Sequence, residues 1–511
     1  MPDLAIGLDF GTSGLKGVAV ARDGSIVARA RADYPTDRPE AGRAEQDPHS
    51  WFEALREVIH RLGAEAQPER WLGLGLSAMI PTLVALDARG AVSGPAITWE
   101  DDRAEAQAAR LRATLGIEWL IATTGQRLDG RYLLPLAMWL GERAATESGK
   151  PARILAAKDW LFERLTGISA TDPGTATGFG CYDLERGEWD EAILREAFGG
   201  QPPRLPDVRP SMTAAPLSAA AATATGLPVD LPVVLGGADS VLAARGLGVC
   251  AAGSIAFVSG TSTVILGVSG SFSPEAAAEH PYLVTPLERD GAWGLEMDLV
   301  STGGAVGWLA GILGLPRSDE GSLWRLAEKA PPGAHDLALL PYLGPGEQGA
   351  LWDPSLRGTL VGLTLATSRA DLARALLDGT ILESRRCIAV LEGASGASGP
   401  IVMTGPAARS AVFRQALADA TGRLVRLPSD PDHPASAWGA ASLAWDALAG
   451  HTPSPPEFVV GARPDITARS VWDGLMERHE RAREATATLW RAGADRAMEN
   501  VGRTGPRERL G

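Results

Sequence analysis

Residues 4–20 read Leu-Ala-Ile-Gly-Leu-Asp-Phe-Gly-Thr-Ser-Gly-Leu-Lys-Gly-Val-Ala-Val. An apolar run enters the turn Asp9-Phe10-Gly11-Thr12-Ser13-Gly14, and a second apolar run leaves it. Apolar runs around a Gly-containing turn predict a β-hairpin. The pattern recurs at 255–268, Ile-Ala-Phe-Val-Ser-Gly-Thr-Ser-Thr-Val-Ile-Leu-Gly-Val, where two apolar runs flank Gly260-Thr261-Ser262. The copies stand close to half a chain length apart in 511 residues. One hairpin per half predicts two related domains, each offering a backbone cradle to a shared anion.

Phosphate suits such a cradle. Glycines let the main chain approach closely and turn N–H groups toward a ligand, and Thr12, Ser13 and Ser262 add hydroxyl donors. Asp9 repels a bare phosphate, so its presence points to a divalent cation between the two, with Mg²⁺ the usual ion beside nucleotide phosphates. Lys16 on the outgoing strand supplies further positive charge. The same residue types also suit ordinary hairpin turns, in which Gly, Ser and Thr are common.

Length predicts two or more domains. A composition 45% hydrophobic and 22% charged is that of a globular protein. The net charge of −14 argues against a nucleic-acid partner but not against ATP, which is held by local glycines and a metal. Cys181, Cys250 and Cys387 are widely spaced and form neither a zinc pattern nor a disulfide frame, which predicts a reducing compartment. No signal-like segment precedes the first strand, and no run of about 18 apolar residues predicts a membrane span. The expected location is cytoplasmic.

Strand-like runs at 4–9, 15–21, 26–31, 71–77, 82–87, 232–236, 255–259 and 263–268 alternate with helical patterns at 50–64, 103–115, 135–146, 158–166, 366–393, 408–421 and 434–449. Such interleaving predicts an α/β architecture. The expected domains are 1–247 and 248–495, with a flexible tail at 496–511.

Asp239 follows Gly236-Gly237-Ala238 at the end of a buried strand. It suits a helix N-cap, or a general base that takes a proton from a substrate hydroxyl. Gly405-Pro406-Ala407-Ala408-Arg409-Ser410 follows the apolar run 401–403 and opens a helix, a geometry compatible with nucleotide contact or with a plain strand-to-helix turn. Gly439-Ala440-Ala441 suits close helix packing or a flat wall for an adenine. Trp99-Glu100-Asp101-Asp102-Arg103 reads as a polyol-binding cluster or a solvated helix start. Neither a P-loop nor a Gly-x-Ser-x-Gly elbow is present.

These motifs, in this order, resemble the FGGY carbohydrate kinases, most closely the xylulokinase branch. The resemblance runs from about residue 4 to about 450. It rests on Gly7-Leu8-Asp9-Phe10-Gly11-Thr12-Ser13, Glu45-Gln46-Asp47-Pro48 with Trp51, Leu86-Asp87 with Gly90, Lys158-Asp159, Gly236-Gly237-Ala238-Asp239 and Ser259-Gly260-Thr261-Ser262. Leu340-Pro341-Tyr342-Leu343 with Gly346-Glu347, Arg357-Gly358 with Gly362-Leu363-Thr364, Ala408-Arg409-Ser410 with Gln415 and Ala418-Asp419, and Gly439-Ala440-Ala441 extend it.

The resemblance implies two ribonuclease-H-like domains, as in actin and hexokinase, closing over an interdomain cleft. It implies ATP with Mg²⁺ as donor and a small-molecule sugar or polyol as acceptor, D-xylulose first. Asp239 would be the catalytic base, and Asp9 with Asp239 would serve the metal. Gly11, Thr12, Ser13, Lys16, Gly260, Thr261 and Ser262 would line the phosphates, with Gly405, Ala408 and Gly439 by the adenosine. Met79, Ile80, Glu100, Asp101, Asp102 and Asp239 would face the acceptor. A homodimer is compatible with this reading.

Departures from the xylulokinase pattern bear on the acceptor and on nucleotide affinity. Met79-Ile80 stands where Met-His is usual, which removes a sugar hydrogen bond. Leu136 replaces a Lys, and Pro406-Ala407 replace two glycines of the adenosine turn. The alternatives are therefore a kinase for ribulose, glycerol or gluconate, a non-kinase actin-like ATPase, or a catalytically weak sugar sensor.

Overall fold

The computed structural model describes residues 2–144, 149–260, 262–279, 281–288, 291–299, 302–317, 319–344, 346–347 and 349–502. Its contacts divide the chain into two compact units. The first comprises Met1–Ala252, Val268–Leu295 and Asp432–Glu457; the second comprises Gly253–Gly267, Glu296–Pro431 and Phe458–Gly511.

The first unit is built on a six-stranded sheet in the order Ala214–Pro216, Pro232–Ala238, Trp71–Ala78, Leu4–Gly11, Gly14–Ala21, Ile26–Asp33. The expected hairpin forms, with Leu4–Gly11 and Gly14–Ala21 antiparallel and Gly11 opposite Gly14. Ile26–Asp33 adds antiparallel to it, whereas Trp71–Ala78 and then Pro232–Ala238 add in parallel on the other side. Numbered by first appearance, the five main strands stand in the order 3-2-1-4-5.

A second, seven-stranded sheet, whose outermost strand Leu283–Pro286 has no counterpart in the first, repeats this order in five of its strands. Its hairpin, Ile255–Ser259 with Thr263–Ser269, has Trp293–Leu299 beyond the second strand and Ile401–Thr404, then Val425–Pro428, beyond the first. Phe458–Ala462 closes that edge antiparallel. The two motif copies thus occupy the same place in two sheets of one topology, as the repeat predicts.

Helix Pro48–Ala66 covers one face of the first sheet. Asp47 caps it by accepting from His49 N–H, and Trp51, Leu55, Val58, Ile59 and Leu62 form its buried stripe. The opposite face is covered by helix Ala435–Ala449, whose small residues admit very close approach. A Cβ on Gly7 would fall 1.8 Å from the Ala437 carbonyl oxygen, one on Gly75 2.1 Å from that of Ala440, and one on Gly439 1.9 Å from that of Leu242. This contact explains why the units depart from the contiguous 1–247 and 248–495 expected above. The sheet needs a second apolar cover, and the chain supplies it from nearly 200 residues downstream of Gly246, whose own Cβ position lies 1.9 Å from the Ala435 carbonyl.

Other expected elements form with shifted ends. The pattern at 103–115 begins as a helix at Glu105, and that at 408–421 resolves into a 3-10 turn, Pro406–Arg409, followed by the helix Ala411–Thr421. The pattern at 135–146 becomes Leu133–Arg143, with 145 and 146 outside the described residues. Helix Arg469–Gly502 continues into the expected tail, of which 503–511 lie outside the described residues. Among the described residues no helix is long and apolar enough to cross a membrane.

Gly7→Ala is expected to destabilise the fold by about 1–3 kcal/mol, because the methyl group overfills a backbone contact. Gly393→Ala, inside helix Arg369–Ser395 with no described atom within 4 Å of its Cβ position, is expected to stabilise by about 0.5–1 kcal/mol. Urea denaturation of both variants reads the opposite signs.

Candidate active site

The parallel ladder of the first unit aligns three chain exits. Phe10 pairs with Ala78, and Ala78 with Ala238. The residues that follow, Gly11, Met79 and Asp239, therefore leave the sheet at one edge. The carboxyl ends of parallel strands are where open α/β sheets bind ligands.

Asp9 lies one turn of the pleat before that edge, opposite Lys16 and beside Ser77 on the parallel strand. It is buried, and Ser77 Oγ donates to its Oδ1 at 2.9 Å. Burial pushes its carboxyl above the usual range, against the opposing effects of the Lys16 charge and the Ser77 hydrogen bond. Lys16 is exposed. A buried acid with one neutral donor and a cation opposite it fits a divalent ion, whose charge would favour the carboxylate. Among the described residues no group of three or more His, Cys, Asp or Glu forms a ready-made metal cage. Mg²⁺ is usually held by one or two carboxylates together with water and substrate phosphate.

Side chains from distant segments brace the turn itself. Tyr34 OH donates to the Gly11 carbonyl at 2.6 Å. The Thr12 carbonyl accepts from Gln46 Nε2 at 2.7 Å and from Thr36 Oγ1 at 3.2 Å. Trp51 Nε1 donates to Gln46 Oε1 at 2.8 Å, and Trp99 Nε1 donates to Thr12 Oγ1 at 2.9 Å. Tyr34, Thr36 and Gln46 were not among the expected site residues, and Trp99 was read only as part of the 99–103 polyol cluster. The signal for Gln46 lay in the Glu45-Gln46-Asp47-Pro48 motif with Trp51; nothing local marked Tyr34 or Thr36.

Asp239 is half-buried and is the first residue of helix Asp239–Gly246. The cap position belongs to Ala238, so the plain N-cap reading of Asp239 does not describe its place. Its carbonyl accepts from Ser436 Oγ at 3.1 Å, which ties the helix start to helix Ala435–Ala449. Beneath this strand end lies a buried network that the sequence did not assign. Lys158 Nζ is 2.7 Å from Asp159 Oδ1 and 3.1 Å from Asp172 Oδ1. Asp172 also caps Pro173–Ala176 through Gly174 and Thr175 N–H, and its Oδ2 lies 3.6 Å from a Cβ built on Gly237. Burial raises the Asp159 carboxyl to about 6.

The 99–103 cluster corrects the sequence reading in part. Asp101 is fully buried. It pairs with Arg103 Nη2 at 2.6 Å and accepts from Ala44 N–H at 2.8 Å, so it is closed to a sugar. Arg103 also pairs with Glu45 at 2.7 Å. Glu100 is held by Arg38 at 2.7 Å. Asp102 alone is exposed, its carboxyl raised by burial of part of the group and by the Asp101 charge. Met79 is buried; Ile80 is partly so and packs near Gly178, where a Cβ would fall 2.6 Å from its Cγ1.

In the second unit Val258 pairs with Thr404 in parallel, so the Gly260 turn and Gly405 leave at one edge. Ser259 Oγ donates to the Thr404 carbonyl at 3.0 Å and accepts from Ala407 N–H at 3.0 Å. Gly405 has φ +93°, and its Cβ would fall 1.9 Å from the Ser259 carbonyl oxygen, so only glycine fits. Ala408 is buried, and Ser262 is half-buried. Thr261 lies outside the described residues. Gly439 faces Leu242, and helix packing accounts for it.

Each of the two sheets thus carries a β-hairpin followed, on the side of its first strand, by parallel strands. The N-terminal domain of the FGGY family of carbohydrate kinases matches residues 4–246 and the C-terminal domain matches 255–448. The chain belongs to that family. It is 30% identical over 443 residues to the xylulose kinase of Escherichia coli, covering 86% of this chain and 89% of that protein. It is 32% identical over 504 residues to the glycerol kinase of Thermus brockianus, covering 93% and 98%. A solved structure described as a xyloylose kinase from Brucella ovis superposes with TM-score 0.85 at 28% identity, covering 95% of this chain and 100% of that one. The protein is a carbohydrate kinase, and kinases of this family use ATP with Mg²⁺.

Asp101→Ala would leave the Arg103 guanidinium buried with one partner fewer. It is expected to cost about 3–5 kcal/mol of stability, in the range for breaking a buried pair. The KM for the acceptor in the folded variant is expected to stay within about 2-fold, since Asp101 touches no solvent. Thermal melts and steady-state kinetics together check this; a large rise in acceptor KM without loss of stability would restore the sugar-binding reading.

Proposed function

We propose that the protein transfers the γ-phosphoryl group of ATP to a hydroxyl of a ketopentose, D-xylulose first. The observation that carries the reading is the common exit of Gly11, Met79 and Asp239 at one sheet edge. It brings a phosphate turn, an apolar wall and a carboxylate to the same end of the first unit. The xylulose kinase relatives favour a ketopentose; the glycerol kinase relative keeps a polyol as the second reading.

Asp239 is the proposed general base: it accepts the proton of the attacking hydroxyl as the oxygen approaches phosphorus. Thr12, Ser13 and the Gly11–Gly14 backbone donate to phosphate oxygens, with Lys16 adding charge. Gly260, Thr261 and Ser262 have the same task in the second unit, and Gly405 with Ala408 contact the nucleoside. Asp9 holds the Mg²⁺ shell, with Asp239 as a second carboxylate. When bound, Mg²⁺ neutralises charge on the phosphate oxygens. An ATP-using sugar kinase belongs in the cytoplasm, and we place it there.

On this reading Asp239→Asn retains the fold and ATP binding but lowers kcat about 10²–10⁴-fold, the usual size of a general-base contribution. Near-normal turnover in a coupled ADP assay would remove Asp239 from the role.

The acceptor wall supports a second expectation. Met79 and Ile80 are apolar, and Glu100 and Asp101 are held by arginines, so few polar groups are left to penalise a wrong configuration. Comparing kcat/KM for D-xylulose, D- and L-ribulose, L-xylulose, glycerol and gluconate tests this. D-xylulose should lead by well under about 10³-fold, since strong discrimination needs buried polar groups left unpaired by the competitor. Glycerol in the lead would establish the polyol reading, and no turnover with any of them would favour a sensor.

A further inference from the structure

We propose that Trp99 is a positioning residue for phosphoryl transfer, acting through the Thr12 hydroxyl. The inference rests on the reading of Thr12 as a phosphate ligand.

An indole N–H can only donate. Trp99 Nε1 lies 2.9 Å from Thr12 Oγ1, so the Thr12 oxygen is the acceptor in this pair. Its own proton must then point elsewhere. The Thr12 carbonyl is occupied by Gln46 Nε2 and Thr36 Oγ1. A hydroxyl rotor otherwise free to choose its partner is thereby set as a donor away from the indole. A phosphate oxygen, which can only accept, needs that state of the hydroxyl. The donation also polarises the O–H group and makes it a stronger donor.

Gln46 is oriented by the same device. Trp51 Nε1 donates to Gln46 Oε1, which leaves the amide NH₂ to face Thr12. Trp99 is itself held. It immediately precedes Glu100, paired with Arg38, and Asp101, paired with Arg103, and Arg103 returns to Glu45 beside Gln46. Two donor-only indoles therefore fix the polarity of the turn, one at the Thr12 carbonyl through Gln46 and one directly at its hydroxyl.

The test is a double-mutant cycle of W99F and T12V in the full-length enzyme, read as kcat, KM for ATP and KM for the acceptor, with thermal melts alongside. W99F is expected to lower kcat/KM for ATP about 10-fold, the size of one oriented hydrogen bond. In the T12V background the same change is expected to cost less than about 2-fold, because the group it orients is gone. A general loss of structure would lower both backgrounds alike. Equal W99F effects in both backgrounds, no W99F effect, or an effect confined to acceptor KM would each overturn the proposal. A T12V enzyme with unchanged ATP kinetics would instead overturn the phosphate reading of Thr12 on which it rests. If W99F does not fold, 3-benzothienylalanine at position 99, which keeps the bicyclic ring and lacks the N–H, gives the same cycle; T12A is the substitute for a T12V that does not fold.

Discussion

Backbone hydrogen bonds between Leu4–Gly11 and Trp71–Ala78 run in parallel register from Ala5 opposite Gly73 to Phe10 opposite Ala78. The positions of Asp9, the Gly11 turn and Met79 in the first unit descend from that ladder. A one-residue slip would exchange the faces of the strand, turning Asp9 away from Ser77 and Leu8 toward the face that helix Ala435–Ala449 covers. Register is held by two covers. Helix Pro48–Ala66 buries one face, and helix Ala435–Ala449 presses on the other so closely that only glycine fits at positions 7 and 75. A slip would bring a side chain against the Ala437 or Ala440 carbonyl, and the sheet has little freedom to take another alignment.

Beyond the last ladder pair, Gly11 opposite Gly14, the turn has only Thr12 and Ser13 and no ladder bonds of its own. Stiffness comes from outside it. Tyr34, Thr36, Gln46 and Trp99 bind the carbonyls of Gly11 and Thr12 and the Thr12 hydroxyl. Preorganised donors stabilise developing charge best because they need no reorientation as the charge moves. The polar cluster at 99–103 contributes here by anchoring the segment that carries Trp99, with Asp101 and Arg103 as the buried link.

The hairpins, their repetition and the strand–helix alternation were legible in the sequence because they are local patterns. So was the position of Asp239 at a strand end, after a Gly pair. Long-range facts were not. Gln46 reaches Thr12 over 34 residues and Trp99 over 87, and no periodicity encodes such a meeting. Asp101 was misread as a sugar ligand because an acidic run looks alike whether solvated or locked on a buried arginine; only burial separates the two. The membership of 432–457 in the first unit was hidden for a related reason. A Gly/Ala-rich helix announces close packing without naming what it packs on.

The two hairpins share topology but not charge. Counting back from Thr12 and Thr261, the counterpart of Asp9 is Val258, and it stands opposite Val264 where Asp9 stands opposite Lys16. The second turn offers one glycine and hydroxyls between apolar runs, whereas the first adds a buried acid facing a lysine. A carboxylate held in the dry sheet interior is costly unless an opposite charge accompanies it. Ser77 and Lys16 offset only part of that cost, since burial still leaves the Asp9 carboxyl raised. A cation at the turn would offset the remainder, and phosphate would find the acid tolerable only with that cation in place. Duplicating Asp9 in the second hairpin would add a second desolvated acid with no lysine opposite it. The asymmetry of the pair is thus one of charge: the first half carries a buried acid, which on the proposed reading a metal would answer, and the second is left neutral at that position.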